Sequence, residues 1–327
     1  MSLLGLLLTL IYYGLVCFVL VLIILCIVLK ISSTPFPIIH RHKEEEYFID
    51  PNDSDKKCQF PSINDDPTVD LSVIIPAYDE EKRLPVMLEE CMEFLEEKLK
   101  QEPNFKYEVI VVSDGSKDKT VACALKYSKK YTCEKFRVLE LVQNRGKGGA
   151  VRYGMMSSRG KYLLFADADG ATKFPDYNLL EKSIYKLANS WKDDVLVIGS
   201  RAHLEEESMA KRSIFRTFLM HGFHFLVWIF AVKGIKDTQC GFKLLTRSAA
   251  RRIFSIMHVE RWAFDVELLF IAQSYKMQID EIGVRWEEID GSKITPFFSW
   301  IQMGRDLIFI WLRYQIGAWK LKPVKAD

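Results

Sequence analysis

Three regimes of hydrophobic and polar residues follow one another along this chain. Met1–Leu29 contains no charged side chain. A helix of roughly 20 apolar residues spans a bilayer, so this run is long enough with a tilt. It lacks the basic leader and small-residue cleavage site of a removable signal, so it reads as a retained anchor over residues 1–30. Residues 31–68 read as a linker, with prolines at 35, 37, 51, 61 and 67 and clusters such as NDSD and NDD. Beyond it, short apolar runs alternate with stretches of helical spacing. Strands are expected at 71–77, 107–114, 136–142, 162–167 and Val195–Ser200, and helices at Leu84–Glu102, Thr120–Tyr131 and Gly148–Ser158. Strand–helix alternation of this kind predicts an α/β fold with a doubly wound, mostly parallel sheet, here over 69–290. His221–Ile235 is apolar but short for a span. Thr295–Trp319 mixes Trp and Phe with Arg305 and Arg313, and Lys293 and Lys320 flank it. That mixture suits either a buried helix pair or C-terminal amphipathic helices at a membrane interface over 291–327.

Polar residues gather where the expected strands stop. PAYDE (76–80), SDGSKD (113–118) and DADGAT (167–172) each follow a strand. In an open α/β sheet, ligands bind outside the carboxyl ends of the strands. Asp167 and Asp169 are alternate carboxylates that either hold one hard cation, Mg²⁺ or Mn²⁺, beside a substrate diphosphate, or form a solvated acidic turn. Asp114 either accepts from a nucleoside N–H or hydroxyl or closes an Asx turn. Tyr78 offers a ring to a base, and Glu80 sits beside a helix entry. NRGKGGA (144–150) brings backbone N–H groups, Arg145 and Lys147 to a phosphate. It is neither a Walker A loop, since no Ser or Thr follows Lys147, nor a GxGxxG turn, since Val151 stands at the last glycine. Arg201, Arg212, Arg216 and Lys243 are further cations, suited to a second phosphate or to anionic lipid.

Composition narrows the choice. The 327 residues are 49% hydrophobic with a net charge of +2, which argues against nucleic-acid binding by bulk charge. Seven cysteines, an odd number without a CxxC pair, suit free thiols rather than a disulfide framework or a zinc site. Lys30, Arg41 and Lys43 follow the apolar run and no cation precedes it, so the positive-inside rule places the bulk of the chain in the cytosol.

In this order, PAYDE, VVSDGSKD, NRGKGGA, ADADGATKFPD, GSRAHLEEES, DTQCGFKLLTR and VERWAFDVELL resemble the dolichyl-phosphate β-glucosyltransferases of the endoplasmic reticulum, from about residue 40 to 319. That resemblance implies a GT-A-type inverting glycosyltransferase. Its reaction moves glucose from UDP-glucose to dolichyl phosphate, giving a donor for N-glycan precursor assembly. It implies that Pro76, Tyr78, Glu80, Asp114 and Lys147 hold the nucleotide. Asp167 and Asp169 hold the metal and diphosphate, and Arg201, Arg212 and Lys243 face the acceptor phosphate. Asp265 and Glu267 would lie near the site without an assigned role. Three positions depart from the wider group: Ser113 where a first Asp is common, Asp79 for an Asn, and Ala171 where some relatives have another metal ligand. The sister reaction, mannose transfer from GDP-mannose, shares this pattern. A processive polysaccharide synthase fits less well, because HVERW (258–262) replaces QxxRW and one convincing span is present.

Overall fold

The computed structural model describes residues 3–53, 56–204, 232–289 and 296–321. The apolar N-terminus is one helix, α1 (Leu3–Ser32), whose side chains are almost all exposed. Among the described residues it is the one helix long and apolar enough to cross a membrane. Residues 31–68, expected as a linker, instead carry a small docked unit. A 3₁₀ turn at Lys43–Glu46 leads into the antiparallel hairpin of β1 (Tyr47–Ile49) and β2 (Lys57–Gln59). Phe48 and Phe60 meet edge to face at 5.0 Å and are buried in the main core. Strands of three residues are too short to show an alternating pattern against a background of proline and Asx.

The main sheet is built from β3 (Val69–Ala77), β4 (Tyr107–Ser113), β5 (Phe136–Glu140), β6 (Gly160–Ala166), β7 (Val195–Ser200), β8 (Phe242–Thr246) and β9 (Gln278–Gly283), in the order β5-β4-β3-β6-β8-β7-β9. Only β8 runs against the others, antiparallel to β6 and β7. Side chains alternate between two cores. Val73, Val109, Val111 and Leu164 face one layer, with α2 (Leu84–Gln101), α3 (Thr120–Lys135) and α5 (Tyr177–Leu187). Ile74, Ile110, Val112 and Phe165 face the other, with α4 (Lys147–Met156), α6 (Arg247–Phe254) and α7 (Phe264–Ser274). Two covered faces explain why the strands are continuous apolar runs. Close seating of α4 depends on Gly154, where a Cβ would lie 2.4 Å from the Ile74 side chain.

A last helix, α8 (Pro296–Gln315), turns Leu307 and Ile310 into the body and leaves Arg305 and Ile308 exposed. Its C-terminal end ties to the segment just past α1. Lys320 N donates to Pro35 O at 2.9 Å, and the His258 ring stacks on Trp319 at 4.2 Å while its Nε2 lies 3.3 Å from Thr34 O. Residues 221–231 of the short apolar stretch lie outside the described residues.

Candidate active site

Ala77, Ser113, Ala166 and Ser200 end parallel strands at one edge, and β8 enters the sheet from that same edge, with Phe242 paired to Ala166. Chemistry-bearing residues from five loops therefore converge there. Asp114, just beyond β4, is buried (3% exposed) and holds the glycine-rich loop. Its Oδ1 accepts from Arg145 N at 2.7 Å and its Oδ2 from Gly146 N at 2.8 Å, while Asn144 Nδ2 donates to its carbonyl. Burial pushes its carboxyl up, and those two donors pull the other way. Gly146 takes a φ of +89°, a conformation that favours glycine. The turn delivers Lys147 to the start of α4, where its Nζ lies 2.6 Å from Asp167 Oδ1. Burial works against the ammonium, but Asp167, Asp265 and Asp169 outweigh it and hold its pKa above the usual lysine value.

Both carboxylates of DADG stay reachable: the side chains of Asp167 and Asp169 are 32% and 29% exposed. Asp167 N donates to Gly241 O at 3.0 Å, and a Cβ at Gly241 would fall 2.0 Å from Asp167 Oδ2, so the carboxylate fills the space a side chain would need. Asp169 Oδ1 accepts from Ala171 N, and its Oδ2 lies 3.9 Å from the Arg83 guanidinium. Burial, followed by the charge of Asp167, raises the Asp169 carboxyl. No group of three or more His, Cys, Asp or Glu forms a metal cluster among the described residues. Two open carboxylates are a donor set suited to a cation that keeps water and substrate phosphate as its other ligands. The residues present therefore fit Mg²⁺ or Mn²⁺.

Other expected site residues sit differently. Pro76 is buried within β3 and Tyr78 is half-buried just past it. Glu80 takes both nitrogens of a fork from Arg83, at 2.7 and 2.5 Å. Arg201 is bound to Asp237 through its backbone N and two side-chain nitrogens, at 2.7–2.9 Å, and lies over the Trp286 ring. Burial opposes both charges, but the pairing wins, raising Arg201 and lowering Asp237. Lys243, expected to face an acceptor phosphate, is instead sealed at 0% exposure, donating to Asp265 Oδ1 at 2.5 Å and Cys240 O at 2.7 Å. A lysine one residue inside an antiparallel strand, opposite Phe165, points into the core rather than the crevice. Arg212 and Arg216 lie outside the described residues.

Asp265 and Glu267 now have places. Asp265 is the counterion of Lys243, and burial raises its carboxyl against the pull of Lys243 and Lys147. Glu267 accepts from the backbone N–H groups of His258 and Val259 and from Tyr314 Oη, tying the loop before α7 to α8. Sequence reasoning did not single out Arg83, Gly241 or Glu45. Glu45 is fully buried, pairs with Arg145 at 3.2 Å and accepts from Val142 N at 3.0 Å, so the segment after α1 supports the glycine loop.

Comparison with known proteins matches residues 72–254 to the model of glycosyl transferase family 2. The chain is 63% identical over 294 residues to the dolichyl-phosphate beta-glucosyltransferase of Drosophila melanogaster, covering 90% of each chain. It is 58% identical over 305 residues to the Homo sapiens protein of that name, covering 93% of each. It is 43% identical over 315 residues to the one from Saccharomyces cerevisiae, covering 92% of each. Among solved structures it is similar to glucosyl-3-phosphoglycerate synthase from Mycobacterium tuberculosis in complex with uridine-diphosphate. The TM-score is 0.51 at 18% identity over 76% of this chain and 81% of that one, a likeness of fold.

Proposed function

This chain belongs to glycosyl transferase family 2 and, within it, to the dolichyl-phosphate β-glucosyltransferases, and from that premise we propose that it moves glucose from UDP-glucose to dolichyl phosphate on the cytosolic face of the endoplasmic reticulum membrane. The observation that carries the reading is the pair of part-exposed carboxylates, Asp167 and Asp169, set beside Lys147 and the glycine loop at the sheet edge. In this reading the nucleoside lies along the ends of β3 and β4, near Pro76 and Tyr78, with Asp114 acting from beneath by fixing the loop. Lys147 lies beside Asp167 and can turn to the diphosphate, while Arg83, forked to Glu80, stays near Asp169 as a fixed positive charge. Asp167 and Asp169 would hold Mg²⁺ or Mn²⁺, which when bound neutralises the departing diphosphate as a Lewis acid.

The acceptor needs placing rather than deprotonating. A phosphate monoester has a second pKa of about 6, so it is largely dianionic at neutral pH and already nucleophilic. Its attack on the anomeric carbon opposite the leaving UDP inverts the configuration to β. The two acidic residues of the WAFDVE stretch are not free to serve as a base: Asp265 is engaged by Lys243 and Glu267 by three protein donors. The apolar α1 keeps the crevice near a lipid-borne acceptor, and the cations at 30, 41 and 43 support a cytosolic orientation.

Membranes from cells expressing the chain, supplied with dolichyl phosphate and Mg²⁺, test this directly with labelled UDP-glucose and GDP-mannose in parallel. Label should enter lipid from UDP-glucose alone and disappear in Asp169→Ala. Transfer from GDP-mannose instead would move the chain to the sister activity.

A further inference from the structure

With Lys243 sealed and Arg201 bound three ways to Asp237, a different cation stands open over the crevice. Arg261 lies in the loop between α6 and α7 and is exposed. Its guanidinium makes no hydrogen bond or ion pair among the described residues. The loop that carries it is fixed from below. Glu260 O accepts from Gly149 N at 2.9 Å, Glu260 Oε1 pairs with Arg152 at 2.9 Å, and Arg261 O accepts from Phe264 N at 3.1 Å. The glycines of NRGKGG make room for this contact. A Cβ at Gly146 would lie 2.8 Å from Glu260 O and 3.0 Å from Arg261 Cγ, and one at Gly148 would lie 2.5 Å from Phe264 Cβ. Arg261 is thus held directly against the residue before Lys147, near enough to act electrostatically on Asp114. Beside it, Trp262 presents a large ring at 45% exposure.

The other end of the same loop touches the membrane anchor. His258 packs on Trp319 and reaches Thr34 O, two residues past the end of α1. Glu267 clamps the backbone of His258 and Val259. Within five residues, therefore, the loop runs from the root of the anchor to the rim of the donor crevice. A phosphate carried on a membrane-embedded chain has to cover that same interval, bringing an anion to the crevice while its apolar tail stays toward lipid.

We infer that Arg261 binds the phosphate of the lipid acceptor and that Trp262 packs against the first isoprene units next to it. An exposed guanidinium gives the bidentate fork that a phosphate monoester fits, with no prior partner to displace. An exposed indole supplies apolar area beside a polar head, as side chains at a lipid interface do. This rests on the proposed transfer to a polyprenyl phosphate.

The test uses the full chain in phospholipid nanodiscs, with dolichyl phosphate and the short, water-soluble citronellyl phosphate as acceptors and inorganic phosphate as inhibitor. Losing a charge-assisted hydrogen bond should raise the KM for both acceptors about tenfold or more in Arg261→Ala. Inhibition by inorganic phosphate should weaken in parallel, with the KM for UDP-glucose unmoved and Arg261→Lys partly restored. Trp262→Ala should raise the KM for both acceptors without changing inhibition by inorganic phosphate, and Trp262→Phe should recover. Both exposed side chains can be removed without opening the core, and an unmoved KM for UDP-glucose reports an intact crevice. Acceptor KM values unchanged in both alanine variants overturn the inference, as does a joint rise in the KM for UDP-glucose, which would mark the loop as a prop for the glycine turn. Wild-type chain that glucosylates neither acceptor overturns the proposed function and this inference together.

Discussion

Replacing Glu45 with glutamine tests whether the segment after α1 is part of the catalytic unit. Glu45 has no exposed surface, and its carboxylate accepts from His42 N, Val142 N and Arg145 Nη2, all at 3.0–3.3 Å. Glutamine keeps the shape and one acceptor oxygen but removes the negative charge. Arg145 is 8% exposed, its Nε already lacks a partner, and its remaining support is the Tyr153 ring at 4.5 Å. Breaking a buried pair by changing one member costs about 3–5 kcal/mol, because the other charge is left uncompensated. Glutamine retains part of the bonding, so about 3 kcal/mol is expected. At roughly 2–4 °C per kcal/mol for a domain of this size, the Tm should fall by about 6–12 °C. Asp114 holds the backbone N–H groups of Arg145 and Gly146, so a loosened Arg145 should also raise the KM for UDP-glucose. The check is thermal unfolding and donor kinetics of the full chain in detergent, with the double variant E45Q/R145M alongside. Removing both charges should recover most of the lost stability. A Tm within about 1 °C of wild type for E45Q, or a double variant no better than the single one, would refute the reasoning.

Four more outcomes follow from the same geometry. Gly241→Ala puts a methyl group where Asp167 Oδ2 now lies, so the chain should fold yet lose metal-dependent UDP binding, read by calorimetry. Asp265→Asn leaves Lys243 buried and uncompensated and should destabilise by about 3–5 kcal/mol, but the enzyme that remains folded should keep the wild-type pH profile; a lost ionisation in that profile would instead make Asp265 a base. For Asp169, burial and Asp167 raise the folded carboxyl, so its ionised form costs stability as pH rises through that value while activity requires it. Asp169→Asn should therefore raise the Tm at neutral pH while abolishing transfer. Arg83→Ala, which removes an opposing cation, should shift the acid limb of the activity profile to higher pH.

The strands and helices of the first half were legible because buried parallel strands leave continuous apolar runs, and the run ends named the site edge. Asp167, Asp169 and Lys147 sit at that edge because each directly follows, or lies just past, such a strand. Strand β8 was not legible. It lies inside DTQCGFKLLTR, where Lys243 among apolar neighbours reads as a surface cation. Only the antiparallel register with β6 turns that lysine inward, and the acid that compensates it, Asp265, is 22 residues away. The β1–β2 hairpin was hidden for the opposite reason: its strands are brief and its burial depends on two phenylalanines meeting a distant core.

Pairing across long sequence separations also decides which cations can act. Arg145 is joined to Glu45, Arg201 to Asp237 and Lys243 to Asp265, and in each pair the acid is shielded from water, so handing the cation to a ligand would strand a buried carboxylate. That penalty is larger than the net worth of a typical hydrogen bond. Lys147 is different, because its partner Asp167 is open to solvent. An arriving anion can draw on Lys147 while water or a cation takes its place at the carboxylate, at a cost nearer that of a surface pair. Arg261 needs no release at all. The same sequence therefore contains many basic residues of equal formal charge, but the fold sorts them into those that hold the crevice together and those that can meet a phosphate, and the sorting variable is the exposure of the acid each one already has.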